Sequence, residues 1–181
     1  MSQDRLTPAA LTRAHGAAVL QENLSVEDRL VALMEQYERP VYAYLLSIVH
    51  DRDLAQDCTQ DTFLRAYDAL RHDRVITASW LYVVARNRAF DEFRRRKRLD
   101  PDGDLLAEIP SREDSAEGRL DVQAVMERLP PADREVLYLF EIAGFSTDEI
   151  GTMLGVRGTA IRQRLKRARD RFRALYTWTS D

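Results

Sequence analysis

The sequence predicts an all-α chain of two small helical domains joined by a flexible acidic linker. Three observations carry that prediction. Gly and Pro are sparse, 7 and 6 in 181 residues, while long Leu/Ala/Arg/Glu-rich stretches favour helix. Apolar residues recur at three- and four-residue steps in both halves of the chain. Between the halves, Asp100 to Gly118 reads DPDGDLLAEIPSREDSAEG, with two prolines, two glycines and no helical period. The expected organisation is an N-terminal extension over 1–26, a first domain over 27–98, a linker over 99–118 and a second domain over 119–181. The extension is expected to be disordered, or a short helix formed with a partner.

Composition removes several classes. Hydrophobic residues make up 45% and charged ones 31%, enough for a globular core. No run approaches 18 apolar residues, so no membrane insertion is expected. The mildly apolar run Ala9 to Leu20 is broken by Arg13 and His15 and makes no secretory signal. Cys58 stands alone, and His15, His50 and His72 are scattered, so neither a disulfide nor a metal or cofactor site is expected. The expected compartment is the cytoplasm. A nucleophile–base pair and a phosphate-cradling glycine loop are both missing from the pattern, so no catalysis is expected.

The net charge of −3 argues against nucleic-acid binding, but its distribution argues the other way. Residues 1–26 sum to zero, 27–98 to +1, 99–118 to −6 and 119–181 to +2, which together give −3. One short acidic segment therefore masks two neutral-to-basic domains. A flexible stretch of that length spans about 25 Å, at about 5–6 Å times the square root of length. It reads either as a solvated spacer or as an acidic strip lying in a positively charged channel of a partner.

In the first domain, Leu33, Tyr37, Val41, Tyr44, Leu45 and Ile48 mark an amphipathic helix. Pro40 should kink or restart it, because proline removes a donor and disfavours helix at Arg39. A second helix runs from about Asp53 to Leu70, with Ala55, Cys58, Thr62, Ala66 and Leu70 inward. Its outward face carries Asp53, Asp57, Asp61 and Asp68, with Gln60 beside them. Like charges four apart repel by a few tenths of a kcal/mol, and folding alone does not ask for them. The stripe is either a soluble acidic face or a docking face for a basic or polar partner. A third helix, about Ser79 to Arg98, gathers Tyr82, Ala85, Ala89, Phe90 and Phe93 on one side. The other side carries Asn87, Arg88, Asp91, Arg94, Arg95 and Arg98. Arg neutralises phosphate, and Asn or Arg pairs with base edges. Trp80, at the helix start, is either a packing residue or a platform for an unpaired base.

In the second domain, Pro130 stops a helix through Leu120, Val125, Met126 and Leu129, and Pro131 suits the first turn of the next. That helix carries Val136, Leu137, Leu139 and Phe140 and should end at Gly144. Ser146 and Glu149 form a capping box for a short helix, Thr147 to Leu154, closed by Gly155. A long helix follows from Gly158, with Ile161, Leu165, Ala168 and Phe172 inward. From Arg157 to Arg173 it holds eight basic residues against one acidic. Short helix, glycine turn and longer basic helix make a helix-turn-helix outline. Its base-reading candidates are Arg162, Gln163, Lys166 and Arg167, with Thr159 suited to a phosphate.

Taken together, these stretches resemble the extracytoplasmic-function (group IV) sigma factors of bacterial RNA polymerase, within the sigma-70 family. DLAQDCTQDTFLRAYDAL, Asp53 to Leu70, is similar to their region 2.2. WLYVVARNRAFDEFRRRKR, Trp80 to Arg98, is similar to regions 2.3 and 2.4. The stretch from Leu129 to Phe172 resembles region 4. The loop before Trp80, HDRVITAS, departs from the glycine-and-glutamate wording of many members, and Arg157 stands where many have Pro or Ser. The resemblance implies that Asp53, Asp57, Gln60, Asp61 and Asp68 dock on the clamp helices of the polymerase's largest subunit. It implies a −10 contact by Trp80, Asn87, Arg88, Asp91, Arg94, Arg95 and Arg98, and a −35 contact by Thr159, Arg162, Gln163, Lys166 and Arg167. It also implies a region 4 contact with the second-largest-subunit flap, an anti-sigma factor, and a monomer in the holoenzyme. A stand-alone helix-turn-helix regulator is the alternative.

Overall fold

A computed structural model describes residues 24–99 and 117–178. The linker reading and the N-terminal extension fall mostly outside these residues. Every described element is helical, and the helices fall into two compact units.

The first unit contains α1 (Val26–Val49), α2 (Arg52–Arg71) and α3 (Ala78–Leu99). Ser25 caps α1, accepting from the Asp28 N–H at 3.1 Å, and Glu27 and Asp28 sit favourably at the positive helix end. The helix runs through Pro40 without a restart, so of the two expected outcomes, a kink or a restart, the second does not occur. Tyr37, Val41, Tyr44 and Leu45 are all buried around that position. Burying each such side chain contributes about 1.5–3 kcal/mol, which together outweighs the roughly 3 kcal/mol cost of an interior proline. Helix α1 ends at His50, which takes the left-handed conformation at φ 54°.

Asp51 caps α2 through the Leu54 N–H at 3.0 Å. The inward residues expected from the sequence are all buried, joined by Leu54, Thr59, Phe63 and Ala69. The buried Thr59 and Thr62 hydroxyls donate to the carbonyls of Ala55 and Cys58, each at 2.7 Å, so neither is left unsatisfied. Tyr44 and Tyr82 join α1 to α3 with ring centroids 5.0 Å apart.

The second unit contains α4 (Glu117–Arg128), α5 (Pro131–Leu137), a π-helical turn (Tyr138–Ile142), α6 (Thr147–Leu154) and α7 (Gly158–Trp178). The buried Arg134 donates to the carbonyls of Glu127 at 2.8 Å and Leu129 at 3.0 Å, satisfying the C-terminal end of α4. The α5 helix does not continue as α-helix through Phe140. A five-residue-back bond from the Ala143 N–H to the Tyr138 carbonyl, 2.9 Å, widens it into the π-turn. That turn keeps Tyr138 and Leu139 buried while Glu141 faces outward. Gly144, at φ 78°, then reverses the chain.

The Ser146–Glu149 capping box is complete: the Glu149 N–H donates to the Ser146 hydroxyl and the Ser146 N–H to the Glu149 carboxylate. Gly155 closes α6 at φ 69°. At Gly158 a Cβ would meet only the Asp148 carboxylate, 1.9 Å away, an exposed side-chain end that can move aside. The close approach that requires glycine is at Gly151, where a Cβ would lie 2.7 Å from the Val156 carbonyl oxygen and 3.0 Å from the Gly158 nitrogen, both backbone atoms. Ile161, Leu165 and Ala168 of α7 are buried as expected, and Phe172 is half-buried.

Candidate nucleic-acid interface

In the first unit, Asp53, Asp57, Gln60 and Asp68 reach solvent from α2. Asp53 and Asp57 make no ion pair among the described residues. Asp61 differs: it is half-buried, and Arg88 of α3 donates to it from Nε at 2.5 Å. The side chains expected to serve two separate surfaces thus meet in one ion pair. That hydrogen bond, together with the charge of Asp61, holds the Arg88 guanidinium above its ordinary pKa.

Burial on α3 departs from the sequence expectation. Phe90 is exposed and Phe93 half-buried, packed edge-on at 6.1 Å, with the Arg86 guanidinium 4.4 Å above the Phe90 ring. Glu92, which the sequence reading did not single out, is buried at 4% exposure. Its carboxylate can lie there because Arg95 reaches it at 2.5 Å and Arg88 at 3.4 Å. The Arg95 hydrogen bond in particular holds its carboxyl below the ordinary value. The signal was present as Arg88, Glu92 and Arg95 at i, i+4 and i+7, a spacing that stacks a carboxylate between two guanidinia on one face. Asp91 and Arg94, both exposed, pair at 2.5 Å, and Asn87 is exposed nearby. The side chain of Arg98 lies outside the described residues.

Trp80 is half-buried at the start of α3, where the Thr77 hydroxyl accepts from its N–H at 3.2 Å and so caps the helix. A groove runs beside the indole, lined also by Leu64, Arg65, Asp68, His72 and Arg74. Leu64 is 65% exposed, an apolar surface that folding leaves uncovered. The groove combines an aromatic ring, two guanidinia and carboxylate acceptors, which suits an unstacked base with its phosphate.

In the second unit, Thr159, Arg162, Gln163, Lys166 and Arg167 are all exposed on α7, opposite the buried Ile161, Leu165 and Ala168. Arg162 donates to the Thr147 hydroxyl at 3.2 Å and reaches the Asp148 carboxylate at 3.5 Å. Lys166 and Arg167 make no ion pair among the described residues. Further along, the arginines turn back on their own domain. Arg169 pairs with Glu141 at 2.7 Å and lies 5.1 Å over the Phe140 ring, and Arg171 bonds the buried Asp133. The basic helix thus divides into an outward N-terminal half and an anchored C-terminal half.

A helical unit with an acidic helix beside an aromatic-and-arginine helix, and a second unit with a basic helix-turn-helix, have the outline of a two-domain nucleic-acid-binding protein. The sigma-70 region 2 model matches residues 33–99, and the sigma-70 region 4 model matches residues 119–172. The chain is 34% identical over 152 residues to the ECF RNA polymerase sigma factor SigE of Mycolicibacterium smegmatis, covering 78% of this chain and 59% of that one. It therefore spans well under two thirds of that relative's length. It is 30% identical to the ECF RNA polymerase sigma factor SigM of Bacillus subtilis, covering 80% of this chain and 93% of the relative. The sigma factor RpoE of Bartonella quintana, solved in complex with the anti-sigma factor NepR, shares the fold at TM-score 0.69 and 24% identity, over 83% of this chain and 98% of that one. CnrH, solved with the cytosolic domain of CnrY, matches at TM-score 0.59 and 27% identity, over 82% and 88% of the two chains. The chain belongs to the extracytoplasmic-function sigma factors of the sigma-70 family.

Proposed function

We propose that this chain directs core RNA polymerase to promoters with −10 and −35 elements and assists their melting, acting by binding and not by catalysis. The acidic face of α2 carries the reading. Asp53 and Asp57 are exposed without ion-pair partners among the described residues; Asp53 is favoured at the positive end of α2, but Asp57, between Asp53 and Asp61 at four-residue steps, is repelled by both. A docking surface for the clamp helices of the largest polymerase subunit gives that cost a use, and a stand-alone regulator has no need of it.

The rest of the geometry supports particular roles. The groove beside Trp80 offers a stacking ring and cations for a base extruded from the −10 strand, which offsets the few kcal/mol of unstacking. Asn87, Arg88, Asp91, Arg94 and Arg95 lie on the following turns of that helix, with Arg98 further along. Arg162, Gln163, Lys166 and Arg167 suit base edges of a −35 duplex, Arg favouring guanine and Gln adenine, while Thr159 suits a phosphate. The second unit would also rest on the flap of the second-largest subunit. An anti-sigma factor is the expected regulator, in keeping with the RpoE–NepR complex of a relative. The expected holoenzyme contains one copy in the cytoplasm. Among the described residues, no helix is long and apolar enough to cross a membrane.

Run-off transcription with core polymerase tests the reading. Promoter-specific transcripts that depend on this chain are expected. Tight duplex binding by the free protein with no such transcript would instead favour the stand-alone regulator. Charge reversal at Asp53 and Asp57 should weaken polymerase binding while leaving the fold intact. Asp61 is a poorer test of docking alone, because it also holds Arg88.

A further inference from the structure

Glu92 and Asp61 both hold Arg88, but they are placed differently. The Glu92 side chain is 5% exposed and is shared with Arg95. It cannot leave without stranding a buried charge. The Asp61 side chain is 39% exposed and belongs to the acidic face of α2, while the Arg88 side chain is 27% exposed. The charges of Asp61, Arg88, Glu92 and Arg95 sum to zero, so this part of the basic helix presents no net charge to DNA. Asp61 takes the Arg88 Nε–H, so the Nε edge of the guanidinium is open to a two-point phosphate contact only when Asp61 lets go, and its charge offsets the guanidinium until then.

From this we infer that Asp61 and Arg88 form a hand-off pair that couples partner docking to DNA contact. The inference rests on the docking and −10 roles proposed above. A basic or polar donor from the docking partner takes over the Asp61 carboxylate, and the freed Arg88 guanidinium takes a backbone phosphate. Linkage makes the effect reciprocal: a phosphate that draws Arg88 away leaves Asp61 open to the partner, so each ligand favours the other by the same factor. In the free protein the pair is closed, which keeps one cation of the −10 face from DNA until a partner arrives.

The test uses the full chain without polymerase and a 20-nucleotide single strand of mixed sequence, with affinity measured against salt. Asp61→Asn keeps the side-chain shape and removes the charge that holds Arg88. It should bind several-fold more tightly than wild type, with a log–log salt slope steeper by about 0.7, the increment for one added phosphate contact on a single strand. Adding Arg88→Gln should return the slope to the wild-type value. Glu35→Gln, on the exposed side of α1, makes the same change in net charge and should leave the slope alone. Asp61→Ser serves as a second variant, and thermal unfolding confirms that each protein is folded. An unchanged slope in both Asp61 variants would overturn the hand-off. So would a steeper slope that survives Arg88→Gln or appears equally in Glu35→Gln. Failure of the underlying functional reading shows separately, as loss of polymerase-dependent transcription by the unmodified chain.

Discussion

Replacing Glu92 by Gln should destabilise the first unit by about 1–2 kcal/mol at pH 7, and the deficit should shrink in acid. Removing one partner from a fully buried ion pair costs about 3–5 kcal/mol. Here the partners are less confined: the Arg95 side chain is 62% exposed and Arg88 keeps Asp61, so water and the remaining carboxylate recover part of the loss. The residue is then close to the cost of losing charged hydrogen bonds, about 1.5–3 kcal/mol, less what the amide of Gln regains. For a unit of this size that corresponds to a fall in Tm of about 4–8 °C per kcal/mol. The acid dependence follows from the Glu92 carboxyl, which Arg95 and Arg88 hold below its ordinary value of 4.5. Its contribution is complete above about pH 4.5 and is lost as pH falls through the lowered folded value. Gln has no such proton to take up, so wild type and variant converge in acid. Thermal unfolding followed by Trp80 fluorescence, in a Trp178→Phe background, reports the unit that holds Glu92. A deficit below about 0.3 kcal/mol at pH 7, or one that widens in acid, would refute the account of Glu92 as a buried, doubly paired carboxylate.

Further outcomes are expected from the same geometry. Burial pushes the Cys58 thiol up to about 11, so at pH 8 only about one thiol in a thousand is ionised, and labelling by a disulfide reagent should be slow until urea unfolds the unit. Fast labelling of native protein would place Cys58 at the surface. Ser146→Ala should cost about 1 kcal/mol through loss of the capping box, seen as a lower urea midpoint for the second unit with unchanged m. Arg162→Ala should cost about 1–3 kcal/mol on a −35 duplex and relax the preference at one base position, whereas an equal loss on every duplex would make Arg162 a phosphate contact. Arg171→Ala should leave the base preference unchanged and lower stability, because it strands the buried Asp133 carboxylate.

Much of this was legible in the sequence, for identifiable reasons. The Ser146–Glu149 box, the Gly155 stop and the Ile161–Leu165–Ala168 stripe are local signals, and the backbone follows them. The inward face of α2 was legible because a 3.6-residue period survives in spite of its many polar residues. Pro40 does not end its helix because the buried face on either side outweighs the lost hydrogen bond. The π-turn at Tyr138–Ile142 was hidden because one extra residue in a turn leaves the apolar pattern nearly intact. Glu92 was hidden by composition, because charge alone sends glutamate to the surface. Only the three-dimensional meeting of α2 and α3 shows that Asp61 shares a partner with it.

That meeting also changes what the basic helices mean. Counting residues gives both a large positive charge, yet much of it is matched within the fold: Arg88 by Asp61 and Glu92, Arg94 by Asp91, Arg169 by Glu141, Arg171 by Asp133. A guanidinium held by a carboxylate contributes little to the long-range attraction that drives non-specific DNA binding. It keeps its geometry, however, and is already aimed when a phosphate or base competes for it. Among the candidate readers of α7, Gln163 is neutral, Arg162 lies 3.5 Å from the exposed Asp148 carboxylate, and Lys166 and Arg167 are the exposed cations without an ion pair among the described residues. Such an arrangement lowers affinity for arbitrary DNA and retains discrimination. That balance suits the proposed role, in which a larger partner sets the placement on a promoter, while the net charge of −3 itself comes from the acidic segment 99–118.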